Sequence, residues 1–392
     1  MISFDNTEIA FKYKSNKDLK RAYTMFKLVG KSWLVQIGKA MVPIAFKLRL
    51  PIKGIIRATI FKQFCGGETI DDCDKTIQIL YDNNVGTILD YSVEGKTEEK
   101  DFDATRDEIL ATIDKAKGNK AIPFAVFKPT GLSRHALLEK LNDESAEPTP
   151  EEKEEFTRVF NRINDICKHA YNSDVPIFID AEESWYQDTL DRIVESMMAN
   201  YNKDKSIIYN TFQMYRHDRL EYLKKGIDKA RREGYNFCGK LVRGAYMEKE
   251  RERASEMGYP SPIQPDKEAC DRDFNEGIEL MVKNIDVCGL CCGTHNEDSS
   301  HLLAKLMEEN NIKKDDKRIY FAQLLGMSDH ISFNLAYHDY QVAKYVPYGP
   351  VKDVMPYLLR RADENTSVAG QTGRELDLIS REWKRRKGKL AI

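Results

Sequence analysis

No stretch of the 392 residues reaches the roughly 18 consecutive apolar positions that a membrane-spanning helix requires. The N-terminus, "MISFDNTEIAFKYKSNKDLKRAY", lacks the apolar core of a secretory signal and the Arg-rich, acid-poor character of a mitochondrial leader. A bacterial-type, cytoplasmic chain is the expectation. Charge excess is also missing: 61 Lys and Arg face 63 Asp and Glu, intermixed along the chain, which argues against a general nucleic-acid binder. Eight cysteines are too few and too scattered for a disulfide scaffold and suit a reducing compartment. Cys288 and Cys291 have metal-ligand spacing, but no second pair follows, and "VCGLCCG" reads as a strand of small buried residues, so no metal is expected. No G-x-G-x-x-G follows a strand, and there is no phosphate-binding G-x-x-x-x-G-K-[ST], no H-E-x-x-H and no nucleophile elbow. Dinucleotide-fingerprint, nucleotide-triphosphatase, zincin and serine-hydrolase chemistries lose their usual signatures.

Beyond residue 84 a rhythm is present. Short β-rich runs alternate with longer charged stretches of helical period: "VGTILDYS" (85–92), "IPFAVFKPT" (122–130), "VPIFIDAEE" (175–183), "SIIYNTFQM" (206–214), "FCGKLVRGAY" (237–246), "DVCGLCCGTHN" (286–296), "RIYFAQLLGM" (318–327) and "QVAKYVPYG" (341–349). Strands apolar on both faces, each followed by a helix such as "SWYQDTLDRIVESMMANY", predict a parallel sheet covered by helices. Eight such units close most economically as an α/β, (β/α)8 TIM-like barrel, with an open doubly wound sheet as the alternative. The predicted organisation is a helical N-terminal region (1–84), the barrel (85–367), and a C-terminal helix with a basic tail (368–392), "SREWKRRKGKLAI" being read as a short helix that frays. "NDESAEPTPEEKEEF" (142–156) reads as an exposed loop opening a helix with an acidic first turn.

In such barrels functional groups gather at the C-terminal ends of the strands. Here those ends carry Lys128, Asp180-Ala181-Glu182-Glu183, Gln213, Lys240, Arg243, Tyr246, Thr294-His295-Asn296 and Tyr345. Each alone reads equally well as packing or capping; six polar strand ends on one rim do not. The segment "YLLRRADEN" wound as a helix sets Tyr357, Arg360, Arg361 and Glu364 on one face. By itself this is a solvated charged face; in front of a cationic rim it becomes a candidate anion clamp, since paired guanidiniums match a carboxylate bidentately. The residues alone support a barrel enzyme for a small anion and leave open a Schiff-base aldolase using Lys128.

Six segments in order, "DAEESW", "KLVRGAYMEKER", "GTHN", "FAQLLGMSD", "KYVPYGPVKDVMPYLLRR" and "YLLRRADENTS", resemble those of proline dehydrogenases, the flavoenzymes that open proline catabolism. The resemblance covers roughly residues 60 to 370. It implies a distorted (β/α)8 barrel that binds FAD, with a final helix capping the barrel mouth. It further implies oxidation of L-proline to Δ1-pyrroline-5-carboxylate by hydride transfer to FAD, and electrons passed to a membrane quinone. Arg360 and Arg361 would hold the substrate carboxylate; Lys128, Asp180, Tyr246, Tyr345 and Tyr357 would shape the pocket, with Leu324 or Leu325 against the ring. Gln213 (or Asn210), Lys240, Arg243, Thr294, His295, Asn296, Thr366 and Ser367 would contact FAD, and Glu364 would hold an arginine or the flavin side chain. Lys240 departs from the arginine that many bacterial members carry, giving charge without a fork. Tyr345 would occupy the space of a 4-hydroxyl, where relatives that oxidise hydroxyproline carry a smaller residue, so proline is expected over hydroxyproline. A separate pyrroline-5-carboxylate dehydrogenase would take the product.

Residues 31 to 64 mix aromatic and aliphatic side chains with cations only: Lys31, Lys39, Lys47, Arg49, Lys53, Arg57 and Lys62. That composition suits a helix on the inner face of an anionic membrane and equally helices packed on a larger domain.

Overall fold

Eight parallel strands close into a barrel in sequence order: β1 (Gly86–Tyr91), β2 (Phe124–Phe127), β3 (Ile177–Ile179), β4 (Ile208–Gln213), β5 (Phe237–Val242), β6 (Cys288–Gly293), β7 (Ile319–Leu324) and β8 (Val342–Tyr348). The computed structural model describes residues 2–48, 51–93, 95, 97–143, 145–367 and 371–390, with side chains omitted at some helical positions, 363–367 among them. Every strand falls inside its predicted stretch. β2 and β3 are short because prolines bracket them: Pro123 precedes β2, Pro176 precedes β3, and Pro129 opens a 3-10 turn, Pro129–Gly131. The chain forms two compact units, one of Met1–Glu94 with Gln323–Ile392, the other of Gly95–Ala322.

In the unit Gly95–Ala322 the strands are buried on both faces, as helix-covered parallel strands must be. One side of the sheet is aromatic. Phe124 stacks on Phe178 at 4.4 Å between centroids, and Tyr209 and Tyr320 meet Phe124 edge-on. On the other side, the helices Ser184–Tyr201 and Arg219–Glu233 are joined by a buried ion pair, Asp191 with Arg219 at 2.6 Å. Asp191 also accepts a hydrogen bond from Asn210 of β4, at 2.9 Å, which turns Asn210 towards the helices. The helix Pro150–Ser173 begins as predicted after an exposed loop, with a reciprocal capping box between Thr149 and Glu152. In β6, Cys288, Cys291 and Cys292 are buried, and burial pushes the Cys291 thiol up to about 12, a poor thiolate former.

The other unit contains β1 and β8, the N-terminal helices and the helices Met355–Ser367 and Gln371–Leu390. The tail departs from expectation: instead of a short fraying helix it is one continuous helix of 20 residues. Leu378 and Ile379 pack on Ala10, Phe11, Leu19, Ala22 and Phe26. Glu382, fully buried, accepts from Arg385, Arg386 and Thr7, so its charges are paired inside rather than solvated. A second ionic cluster sits behind β8. Lys344 is completely buried and pairs with Asp329 at 3.0 Å; Lys14 and the Tyr13 hydroxyl reach the other Asp329 oxygen at 3.1 and 2.7 Å. Burial alone would raise the Asp329 carboxyl, yet Lys14 and Lys344 hold it well below the usual carboxylate range.

Within 31–64, the helix Ser32–Lys47 buries Val35 in a cluster with Met25 and Ala362. Its opposite stripe, Trp33, Ile37 and Met41, at i, i+4, i+8 spacing, stays 59%, 52% and 57% exposed. Among the described residues no helix is long and apolar enough to cross a membrane.

Candidate active site

The strand ends of the unit Gly95–Ala322 converge on Asp180, the residue immediately after β3. Its backbone N–H continues the ladder to Phe127 of β2 at 3.0 Å, which fixes where the side chain leaves the strand. Lys240, on β5, forms a close ion pair with one carboxylate oxygen, and Lys128, immediately after β2, lies 3.5 Å from the other. The Lys240 ammonium also lies 5.0 Å from the centroid of the Phe178 ring. Two cations meet one anion here in a partly buried, aromatic-floored setting, which suits an anionic partner. The contact with Asp180 engages the Lys128 amine that a Schiff-base aldolase would use as its nucleophile.

The next residues along the same loop form a second, hydroxyl-rich group. The Glu182 carboxylate accepts from Thr130 at 2.7 Å on one oxygen and from the Tyr246 phenol at 3.0 Å on the other. Gln213, the last residue of β4, donates to the Glu182 carbonyl at 2.7 Å and accepts from the Ala245 backbone at 3.2 Å. Burial is the largest influence on Glu182; with the like charge of Glu183 it outweighs Thr130 and Lys128 and pushes the carboxyl up to about 8. Glu250 pins the end of the loop by accepting from the Ser184 N–H and hydroxyl, both at 2.6 Å, and Glu183 is taken by Lys249. Gly244 permits the bend that brings Tyr246 back: its φ is +138°, and a Cβ there would lie 2.6 Å from the Tyr215 ring.

Arg243 and Thr294 meet in a third group. The guanidinium donates to Thr294 at 2.7 Å, Asp271 at 2.6 Å and Ser299 at 3.0 Å, and stacks 4.4 Å from the Phe274 ring. Asn296 caps the helix Glu297–Glu309, its side-chain oxygen accepting from the Ser299 N–H at 2.9 Å; His295 is half-buried beside it. A further hydroxyl is available: Thr211 Oγ1, on the β4 position in register with Lys240, is buried and has no hydrogen-bond partner among the described residues. An orphan hydroxyl in register with the buried Lys240 fits a ring system that is both polar-edged and electron-accepting, as FAD is.

In the other unit, two residues of the face that reads alone as solvated are buried. Tyr357 and Arg361 are 4% and 7% exposed, and the Arg361 guanidinium lies 5.0 Å from the Tyr357 ring centroid. Arg360 is half-buried. Tyr345 is buried on β8, and its carbonyl accepts from Leu325 at 2.9 Å. Glu364, Thr366 and Ser367 fall outside the residues whose side chains are described.

Sequence reasoning assigned no role to Glu182 or Thr211. The position of Glu182 in "DAEESW", two residues from Asp180, was the available signal; its partners are 52 and 64 residues away, beyond any local pattern.

A sequence profile of the proline dehydrogenase family matches residues 73–374. The chain belongs to the proline dehydrogenase family. Among individual relatives it is 32% identical over 420 aligned residues to "Proline dehydrogenase 1, mitochondrial" of Dictyostelium discoideum, covering 95% of this chain and 73% of that one. The human protein of the same name is 38% identical over 66% of this chain and 44% of its own. "Hydroxyproline dehydrogenase" of Xenopus laevis is 30% identical over 96% of this chain and 88% of its own. The crystal structure of proline utilization A (PutA) from Bdellovibrio bacteriovorus superposes with a TM-score of 0.73 at 18% identity, over 95% of this chain and 40% of that one, and supports the barrel fold. The chain thus spans less than half the length of some of the proteins it matches.

Proposed function

We propose that this chain oxidises L-proline at C5 to Δ1-pyrroline-5-carboxylate. The observation that carries the reading is the family match across residues 73–374, which contains every residue discussed at the strand ends and in the helix Met355–Ser367. FAD, when bound, would supply the two-electron acceptor. Lys240, Arg243, Thr294, His295, Asn296, Gln213, Glu364, Thr366 and Ser367 would hold it, and Thr211 is added to that set by its buried, unsatisfied hydroxyl.

The chain's own residues bind, orient and desolvate. Arg360 and Arg361 take the substrate carboxylate in a forked, charge-assisted contact. Lys128, Asp180, Tyr246, Tyr345 and Tyr357 surround the ring. The Lys240–Asp180–Lys128 group supplies fixed positive charge, already paid for by folding, where negative charge would develop on the acceptor. The test is the purified chain itself: a yellow flavin band that is lost when proline is added without oxygen.

A second reading, oxidation of hydroxyproline, is favoured by the near full-length likeness to the Xenopus protein. Tyr345 favours proline, because its buried phenol would stand where a 4-hydroxyl must fit.

Electrons would leave to a membrane quinone, and the product to a separate dehydrogenase. The exposed Trp33, Ile37 and Met41 stripe, in a segment whose only charges are positive, supports docking on the inner, anionic face of a membrane by a cytoplasmic chain.

A further inference from the structure

We infer that Glu182 is the proton acceptor behind Tyr246: the phenol takes the proton that the substrate amine must give up and hands its own to Glu182 Oε2. This deepens the proline oxidation proposed above and rests on it. Proline in neutral water is an ammonium. Hydride can leave C5 only as the nitrogen lone pair forms the C=N bond, so one N–H proton must go first, to a group able to hold it.

The carboxylates at these strand ends differ in how they are engaged. Asp180 meets the ammoniums of Lys240 and Lys128, and Glu183 meets Lys249. Glu250 is committed to the Ser184 N–H and hydroxyl. Glu182 instead accepts from two hydroxyls, Thr130 at 2.7 Å and Tyr246 at 3.0 Å. A hydroxyl can pass a proton on while receiving another; an ammonium locked on a carboxylate cannot take one. Tyr246, among the residues proposed to surround the ring, is therefore oriented with its hydrogen towards a buried base.

The step balances without electron transfer. A substrate N–H bond breaks and its proton forms an O–H bond on Tyr246, while the original Tyr246 O–H breaks and its proton bonds to Glu182 Oε2. Ammonium becomes amine, and carboxylate becomes carboxylic acid. Several charged groups face Glu182: Lys128 from the β2 end, and Asp180 and Glu183 from its own loop. Burial dominates them, and a carboxyl raised to about 8 is ionised in a growing fraction through neutral pH, as a base that must accept and later return a proton requires. Glu182 thus acts through Tyr246, as a positioning and proton-holding residue.

The experiment compares the full-length flavin-loaded chain with Glu182→Gln, Glu182→Asp and Tyr246→Phe. Infrared difference spectra across pH report protonated carboxyls without any turnover. A carboxyl band should titrate near pH 8 in the parent and be missing in Glu182→Gln. Anaerobic flavin bleaching by proline should rise with pH to a plateau in the parent. In both Glu182→Gln and Tyr246→Phe it should be slower at pH 9 by on the order of a hundredfold and keep climbing with the amine's own ionisation. Glu182→Asp should recover part of the rate and the plateau. A Glu182→Gln variant with the parent's pH profile, or a parent without a band that titrates with Glu182, overturns the inference. A parent that proline does not bleach at any pH overturns the proline reading itself, and the infrared titration then still reports on Glu182 alone.

Discussion

The guanidinium of Arg361 stacks 5.0 Å from the centroid of the Tyr357 ring, one helical turn away, and both side chains are buried. A desolvated guanidinium fixed in this way is preorganised for a forked contact with a carboxylate and loses little freedom when it forms. Replacing Arg361 by Met should weaken proline binding by roughly 2–5 kcal/mol, a rise in KM of at least about thirtyfold, with flavin content retained. Steady-state kinetics on the flavin-loaded variant decides it; an unchanged KM removes Arg361 from the substrate.

Glu182 makes stability depend on pH. Its carboxyl is raised to about 8 in the folded chain, far above the ordinary glutamate value, so between those two values the folded state holds a proton that the unfolded state has lost. Its contribution is fully present in acid below the ordinary value and is lost as pH rises through that window. Glu182→Gln removes the loss and should raise Tm at pH 9 but not at pH 4. The gain is on the order of a few kcal/mol. Thermal unfolding of both proteins at the two pH values measures it, and equal gains at both would contradict the burial argument.

The eight strands were legible because parallel strands covered by helices must be apolar on both faces, and "FAVF", "IFI" and "CGLCCG" are. The rim was legible as residue types at strand ends. Pairings were not. Asp180 and Lys240 are 60 residues apart, and nothing local states that β3 and β5 bring them together. Asn210 and Gln213 looked interchangeable in sequence; only the barrel's inside and outside separate them, sending Asn210 to Asp191 and Gln213 to the Glu182 loop. The tail misled for an energetic reason. In sequence Glu382 reads as one more surface charge; in the fold it is fully buried between two arginines, and the helix runs on to Leu390.

Tyr345 sets a prediction about substrate choice. Tyr345→Ser should lower kcat/KM for proline and raise the relative use of 4-hydroxyproline, because a buried phenol is replaced by a small hydroxyl. Competing-substrate kinetics give the ratio. A preference identical to the parent's places Tyr345 away from C4 of the ring.

The cationic segment makes a further prediction. Vesicles containing anionic lipid should cosediment the chain, and replacing Lys39, Lys47, Arg49 and Lys53 by glutamine, or Trp33 and Ile37 by serine, should release it. Binding insensitive to both sets, or absent from the parent, removes the docking face.

The most direct test of the whole account is the visible spectrum of the purified chain before and after L-proline is added in the absence of oxygen. The account predicts an oxidised-flavin band that proline bleaches within seconds, with pyrroline-5-carboxylate formed in equal amount. A colourless chain, or a yellow one whose band proline leaves untouched, would contradict it.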